Sequence, residues 1–152
     1  MKICKLILLV ALTVSVSKGF TQELAPPKEV VEALAADDSV KLLALVTRDN
    51  VNTCYGNYSL LSHAIRFGAI KCFNLLIAEG ADVNHSCNGY VPPLMHAAKY
   101  GRLEMVKVLV ARGADVHYKY TGDYVPAQGQ TPLSYAQMYQ KSDVVAYLDS
   151  LK

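Results

Sequence analysis

Gly80-Ala81-Asp82-Val83 occurs again as Gly113-Ala114-Asp115-Val116, 33 residues later. A period of that size constrains the chain more than any other feature. One such unit is a single supersecondary piece that cannot bury its own apolar face, so neighbouring units must stack to make a core. Between the two copies lie turn-forming Cys87-Asn88-Gly89, then Pro92-Pro93-Leu94-Met95-His96-Ala97-Ala98, then Gly101 and Leu103-Glu104-Met105-Val106-Lys107-Val108-Leu109. The pattern extends in both directions. Ser59-Leu60-Leu61-Ser62-His63-Ala64 precedes Pro92 to Ala97 by the same 33 residues, and Gly68 precedes Gly101 likewise. Arg48-Asp49-Asn50-Val51-Asn52 is a degraded copy of the Gly-Ala-Asp-Val end, and Thr131-Pro132-Leu133 restarts the unit further on.

The order of turn, short helix, Gly, longer helix and Gly-Ala-Asp-Val-Asn resembles an ankyrin repeat. The resemblance spans residues 28–152. It implies an all-α solenoid of helix-turn-helix units joined by β-hairpin-like loops, about four repeats in all. These are an amino-terminal capping repeat (28–52), two full repeats (53–85 and 86–118) and a carboxy-terminal capping repeat (119–152). Terminal repeats need a polar outer face, which explains the degraded first copy and Gln140 in place of the last Gly. In two units the family's Thr-Pro is replaced, by Ser59-Leu60 and by Pro92-Pro93. His63 and His96 come one place later than the family's His, which falls at Ser62 and Met95.

Helices are expected from Lys28 to Ala36, with Val30, Val31 and Leu34 on one face, and from Val40 to Thr47 after a cap in Asp37-Asp38-Ser39. Ala64, Ala97 and Ala136 are small enough for helices to approach. Leu61, Leu94 and Leu133 should form one ladder through the stack, and Leu76, Ile77, Leu109 and Val110 another. Val116 to Thr131 is 15 residues against nine from Val83 to Pro92, so the last hairpin carries about six extra residues, an insertion expected to project. The last helix should run from Ser142 to Leu151.

The first nineteen residues read differently. Lys2 and Lys5 precede the apolar run Leu6 to Val14, and Ser15, Ser17 and Gly19 follow. That is the form of a secretory signal peptide (1–19), too short in its apolar run for the roughly 20 residues of a membrane span. A polar linker (20–27) follows. The expected location is periplasmic or secreted, with no stable membrane anchor after signal removal. Lys2, Lys5 and Lys18 would leave with the signal, so 12 of the 15 basic residues would remain against 13 acidic ones. A near-neutral chain without a basic cluster is not a nucleic-acid binder.

No nucleophile elbow, phosphate loop or His-Glu metal motif appears, so neither an enzyme nor a cofactor is expected. His63 and His96 occupy equivalent places, but stacked helices about 8–10 Å apart do not bring two rings within the ~2 Å of a Zn–N bond. They read as packing residues between inner helices. Cys72 aligns with Met105, a core position. Cys54 and Cys87 occupy adjacent hairpins, and their pairing stays open. An oxidising compartment allows a disulfide; the register works against one unless the hairpin tips lean.

The ten tyrosines are the informative excess. Phe67, Tyr100 and Tyr139 share one register at the ends of inner helices, preceded by Arg66, Lys99 and Met138. Tyr55, Tyr58, Tyr90, Tyr118, Tyr120 and Tyr124 fall in the hairpins, and of these Tyr90, Tyr118, Tyr120 and Tyr124 should wall the same groove. Inner helices and hairpins form the family's concave binding face, and Tyr supplies contact area at low entropy cost. The resemblance therefore implies a non-catalytic module, monomeric when free, that binds another protein outside the cytoplasm. Small signal-bearing bacterial proteins of this look resemble inhibitor or immunity partners, or accessory factors of exported enzymes. The alternative is a structural scaffold bridging two envelope proteins.

Overall fold

The computed structural model describes residues 25–152. The expected signal peptide and the first part of the linker lie outside the described residues. Four antiparallel helix pairs stack in chain order: α1 (Lys28–Ala35) with α2 (Ser39–Leu43), α3 (Leu60–Phe67) with α4 (Ile70–Ala78), α5 (Pro93–Tyr100) with α6 (Leu103–Ala111), and α7 (Pro132–Met138) with α8 (Ser142–Asp149). This is the expected solenoid. Among the described residues no helix is long and apolar enough to cross a membrane.

One corner repeats four times and sets the geometry of each pair. The chain leaves the first helix through a left-handed residue: Asp37 (φ 49°), Gly68 (φ 72°), Gly101 (φ 66°) and Gln140 (φ 55°). The next amide then donates back to an alanine carbonyl in every unit. The bonds are Asp38 N to Ala33 O (2.8 Å), Ala69 N to Ala64 O (3.0 Å), Arg102 N to Ala97 O (2.9 Å) and Lys141 N to Ala136 O (3.0 Å). This is a Schellman closure, which satisfies carbonyls that the helix end leaves free. All four alanines are buried, so a minimal side chain lies where the inner helices pack. Ala33 is the member of this set that sequence alignment did not show.

The core runs the length of the stack. Leu61 and Leu94 are buried while Leu133, at the end, is only partly so. Leu76, Leu109 and Ile77 are buried and Val110 packs against them. Cys72 and Met105 are both buried, as aligned. Burial pushes the Cys72 thiol up to about 11, with the carboxylate of Asp37 adding to it. Asp37 also accepts from the backbone N–H groups of Lys71 and Cys72, at 3.2 and 3.0 Å, and so closes the start of the next repeat's outer helix.

Several expectations need correction. The second helix spans Ser39–Leu43 rather than Val40 to Thr47. Its Asp38 cap accepts from Lys41 N as expected, but Asn50 stops the helix early. That side chain accepts from Thr47 N and donates to Leu45 O, taking groups the helix would have used. On α1 it is Val30, Ala33 and Leu34 that are buried, and Val31 is half-buried. The last helix ends at Asp149. At two of the places where the family's His would stand, Ser62 and Ser134, serines tie the inner helix start, while Met95 stands at the third. Ser62 N donates to Ser59 Oγ, and Thr131 with Ser134 forms a full capping box.

The hairpins are not alike. Residues Cys54–Tyr55 and Tyr58–Ser59 pair as two short antiparallel strands, β1 and β2. The equivalent stretch in the next repeat is a 3₁₀ turn, Cys87–Gly89, with Asn88 at φ 52°. Side-chain amides rung these loops together: Asn52 Oδ1 accepts from Asp82 N (2.8 Å), and Asn84 Oδ1 from Asp115 N (3.2 Å). The insertion does not simply project. Tyr120 is 1 % exposed and, with Val91, Met95, Ala127 and Tyr135, makes a second small core.

Candidate functional site

One face is assembled from the ends of α3, α5 and α7 and from the hairpins beside them. Each inner helix delivers a pair of residues just before its left-handed corner, where the chain turns away and leaves them uncovered. Phe67 and Met138 are 44 % and 45 % exposed, and Tyr100 and Tyr139 are half-buried. Between these helix ends and the hairpins runs a chain of aromatic rings.

Tyr58, from β2, lies at its centre. Its ring centroid is 5.4 Å from His63, 5.0 Å from His96 and 5.3 Å from Tyr90. Tyr90 continues the row to Tyr124 at 4.6 Å, and His96 stacks on Tyr100 at 6.5 Å with an interplanar angle of 16°. Tyr135 and Tyr139 meet edge to face at 5.0 Å. Offset and edge contacts at these spacings each add to simple burial.

Two cations are seated on the rings. The Arg66 guanidinium lies 4.2 Å over Tyr58. The Lys99 ammonium sits 5.0 Å from the Tyr139 ring, 5.7 Å from Tyr100 and 6.0 Å from Tyr124. Such seats fix a long side chain and keep its charge available. Burial alone would lower the Lys99 pKa, but Tyr124, Tyr139 and Tyr100 outweigh it and the net shift is upward.

Beneath the cations the histidines are neutral. Burial holds His63 down at about 4, helped by the Arg66 charge. His96 is held at about 3, by burial first and then by Arg66, Lys99 and His63. His63 Nε2 and both ring nitrogens of His96 meet no hydrogen-bond partner among the described residues. Tyr90 is pushed strongly up, chiefly by burial and then by hydrogen bonding with Tyr124 and Tyr58. The charges seated on the rings of this face are therefore both positive at neutral pH, on Arg66 and Lys99, while Asp123 lines the adjoining recess with Tyr90 and Tyr124. A groove of about 370 Å³, lined by Pro26, Val31, His63, Arg66, Phe67 and Tyr100, opens at its amino-terminal end. Among the described residues no acidic side chain lines it.

Of the residues singled out from sequence, Arg66, Tyr90, Lys99, Tyr100, Tyr124 and Tyr139 come together in this row. Phe67 lines the groove, and Met138 is exposed at the equivalent helix end. Tyr118 is half-buried and packs against the same second core as Tyr90, Tyr124 and Tyr139, but lines a separate recess with Asn84, Ser86, Pro92, Leu94 and Asp115. Tyr120 is a correction: it is a core residue rather than a wall of the groove. Sequence reasoning counted Tyr58 among the hairpin aromatics without making it the seat for Arg66, and did not place His63 and His96 in the row. The 33-residue spacing of the two histidines was the available signal.

Cys54 and Cys87 are joined in a disulfide with Cα atoms 5.8 Å apart. The 3₁₀ turn folds Cys87 inward to 2 % exposure, which closes the distance that repeat spacing alone would leave. His85 Nε2 lies 3.2 Å from Cys54 Sγ.

A family model for ankyrin repeats (3 copies) matches residues 28–120 and 92–150. Comparison with curated proteins finds no match to the chain.

Proposed function

The chain belongs to the ankyrin repeat family, and from that premise we propose that it binds another protein through its concave aromatic face, outside the cytoplasm. Repeats of this family generally serve as non-catalytic protein-binding modules. The observation that carries the assignment to this face is the row Tyr58, Tyr90, Tyr100, Tyr124 and Tyr139 with Arg66 and Lys99 seated on it. Aromatic anchors with Arg, partly desolvated and rimmed by polar groups, have the composition of interface hot spots. Arg66 and Lys99 on this face, with no carboxylate among the described residues that line the groove, favour a partner segment that presents an acidic side chain flanked by apolar ones. The signal-like first nineteen residues and the Cys54–Cys87 bond both suit an oxidising, non-cytoplasmic compartment. An inhibitor or accessory role for an exported enzyme fits a single face of this kind.

The test is affinity capture with the chain lacking residues 1–19, followed by titration of the captured partner. Tyr100→Ala should weaken binding about 30-fold or more, the equivalent of roughly 2 kcal/mol, with a small shift in the thermal melt. Leu94→Ala is the control and should lower stability by about 2–5 kcal/mol through its cavity. Unchanged affinity for Tyr100→Ala would remove the concave row as the interface. A ternary complex with two partners would favour the scaffold reading instead.

A further inference from the structure

Cys54, Cys87 and His85 offer three ligand atoms that all lie within 4.8 Å of one another. We propose that this disulfide and a soft divalent metal ion, Zn²⁺ foremost, are alternative closures of one clasp between adjacent hairpins. A tetrahedral zinc site with two thiolates and one imidazole needs S···S near about 3.8 Å and S···N near about 3.6 Å, from bond lengths of about 2.3 and 2.05 Å. The Cys54 Sγ–His85 Nε2 separation is already 3.2 Å. Cα atoms 5.8 Å apart let the two sulfurs part to that distance by side-chain rotation, without moving the hairpins.

Hydrogen bonds independent of the sulfurs tie the same hairpins. Asn88 Nδ2 donates to Gly56 O at 3.0 Å, tying one hairpin tip to the next. The His85 backbone N–H donates to Asp82 O (3.2 Å), and the Asp82 backbone N–H in turn donates to Asn52 Oδ1. Mixed thiolate and imidazole donors select zinc-like ions over magnesium or calcium. Three protein ligands leave a fourth position for water.

Exchange between the two closures balances with an external dithiol. One thiolate of the dithiol attacks the half-buried Cys54 Sγ, and Cys87 leaves as thiolate. The second dithiol sulfur then attacks the mixed disulfide and releases Cys54 as thiolate. The dithiol ends oxidised to its own disulfide, two electrons having passed to the clasp. Zn²⁺ binds the two thiolates and the neutral imidazole, and any thiol protons are released to solvent. The surroundings' redox poise thus chooses which closure is present.

The full chain is reduced with a dithiol, freed of it under anaerobic conditions, and titrated with Co²⁺ as a spectroscopic probe. The expected result is one Co²⁺ per chain with thiolate-to-cobalt charge-transfer absorption and tetrahedral visible bands, both lost on adding Zn²⁺. The disulfide form should show neither. His85→Ala should weaken Co²⁺ affinity tenfold or more, Cys54→Ser should remove most of the charge-transfer band, and Cys72→Ala should leave it unchanged. Circular dichroism follows the helices throughout. The proposal is overturned if the reduced chain keeps its helices but gives no charge-transfer band. It also fails if His85→Ala binds like the wild type, or if the reduced chain loses its helices and cannot hold the three ligands together. None of these readouts depends on a protein partner, so they stand or fall separately from the concave-face assignment.

Discussion

Two neighbouring joints of the same solenoid are fastened by different chemistry. Between the second and third repeats the loops are short, and the Cys54–Cys87 bond crosses them. Between the third and fourth the loop is longer and carries its own core. There the Tyr120 hydroxyl donates to Gly89 O (3.0 Å) and accepts from Tyr124 N (3.2 Å). Its backbone exchanges bonds with Gln130 and Gly129. Gly122 is required beside it, because a Cβ there would fall on the Tyr120 hydroxyl and Gly89 O. A short hairpin has too little chain to bury a large side chain of its own, so a covalent bond holds it. A longer one can fold over a tyrosine and hold by packing and hydrogen bonds.

Removing each fastening tests whether they are independent. Tyr120→Ala should have the larger effect, about 3–5 kcal/mol of stability, since a fully buried aromatic is lost and a cavity remains. Thermal melts measure it, and hydrogen exchange should show the loss concentrated in residues 118–131. Protection lost equally in the 54–59 hairpin would mean the two joints form one unit.

Cys54→Ala with Cys87→Ala should destabilise by about 3–4 kcal/mol on the loop-closure model for a 33-residue separation. Here the hairpin of β1 and β2 should lose protection while the Tyr120 loop keeps it. A denaturation midpoint equal to the wild type would show that the Asn52 and Asn84 rungs suffice on their own.

Acid should act on the disulfide side first, because His63 and His96 lie under Tyr58 and Tyr90. Both have folded pKa values, about 4 and about 3, depressed from the ordinary 6.5. The unfolded chain therefore takes up these protons first as pH falls. Their contribution is complete above about pH 6.5 and drains away towards about pH 4 for His63 and about pH 3 for His96. By pH 4.5 each should have removed on the order of 2 kcal/mol. His96→Phe keeps a ring in place and should flatten the fall by that amount in pH-dependent urea melts. An unchanged slope would assign acid sensitivity elsewhere.

The smallest effect belongs to the last corner. Gln140 holds φ 55° where Gly68 and Gly101 stand in the middle repeats. Gln140→Gly should stabilise by about 1 kcal/mol, because an L side chain in that region is strained by about that much. A melt that falls instead would mean the Gln140 side chain contributes more than its backbone strain takes away.

Much of the concave row could be read before folding. Phe67, Tyr100 and Tyr139 share a register in the chain, and a solenoid converts register directly into position on a face. The partners of that row could not be read so easily. Tyr58 and Tyr120 are both hairpin tyrosines, yet one seats Arg66 and the other is buried in a second core. Their fates depend on loop length and tip conformation, which follow no repeat.

The 33-residue period by itself determined the two middle helix pairs, the Cys72 core position and the equivalence of Gly68 with Gly101, because each repeats locally and needs only near neighbours. The tertiary structure alone decided the Cys54–Cys87 bond and the burial of Tyr120. It also decided that His63 and His96 lie uncharged beneath two cations. These depend on how loops of unequal length lean across a stack, and hence on distances between residues that the chain keeps about thirty positions apart.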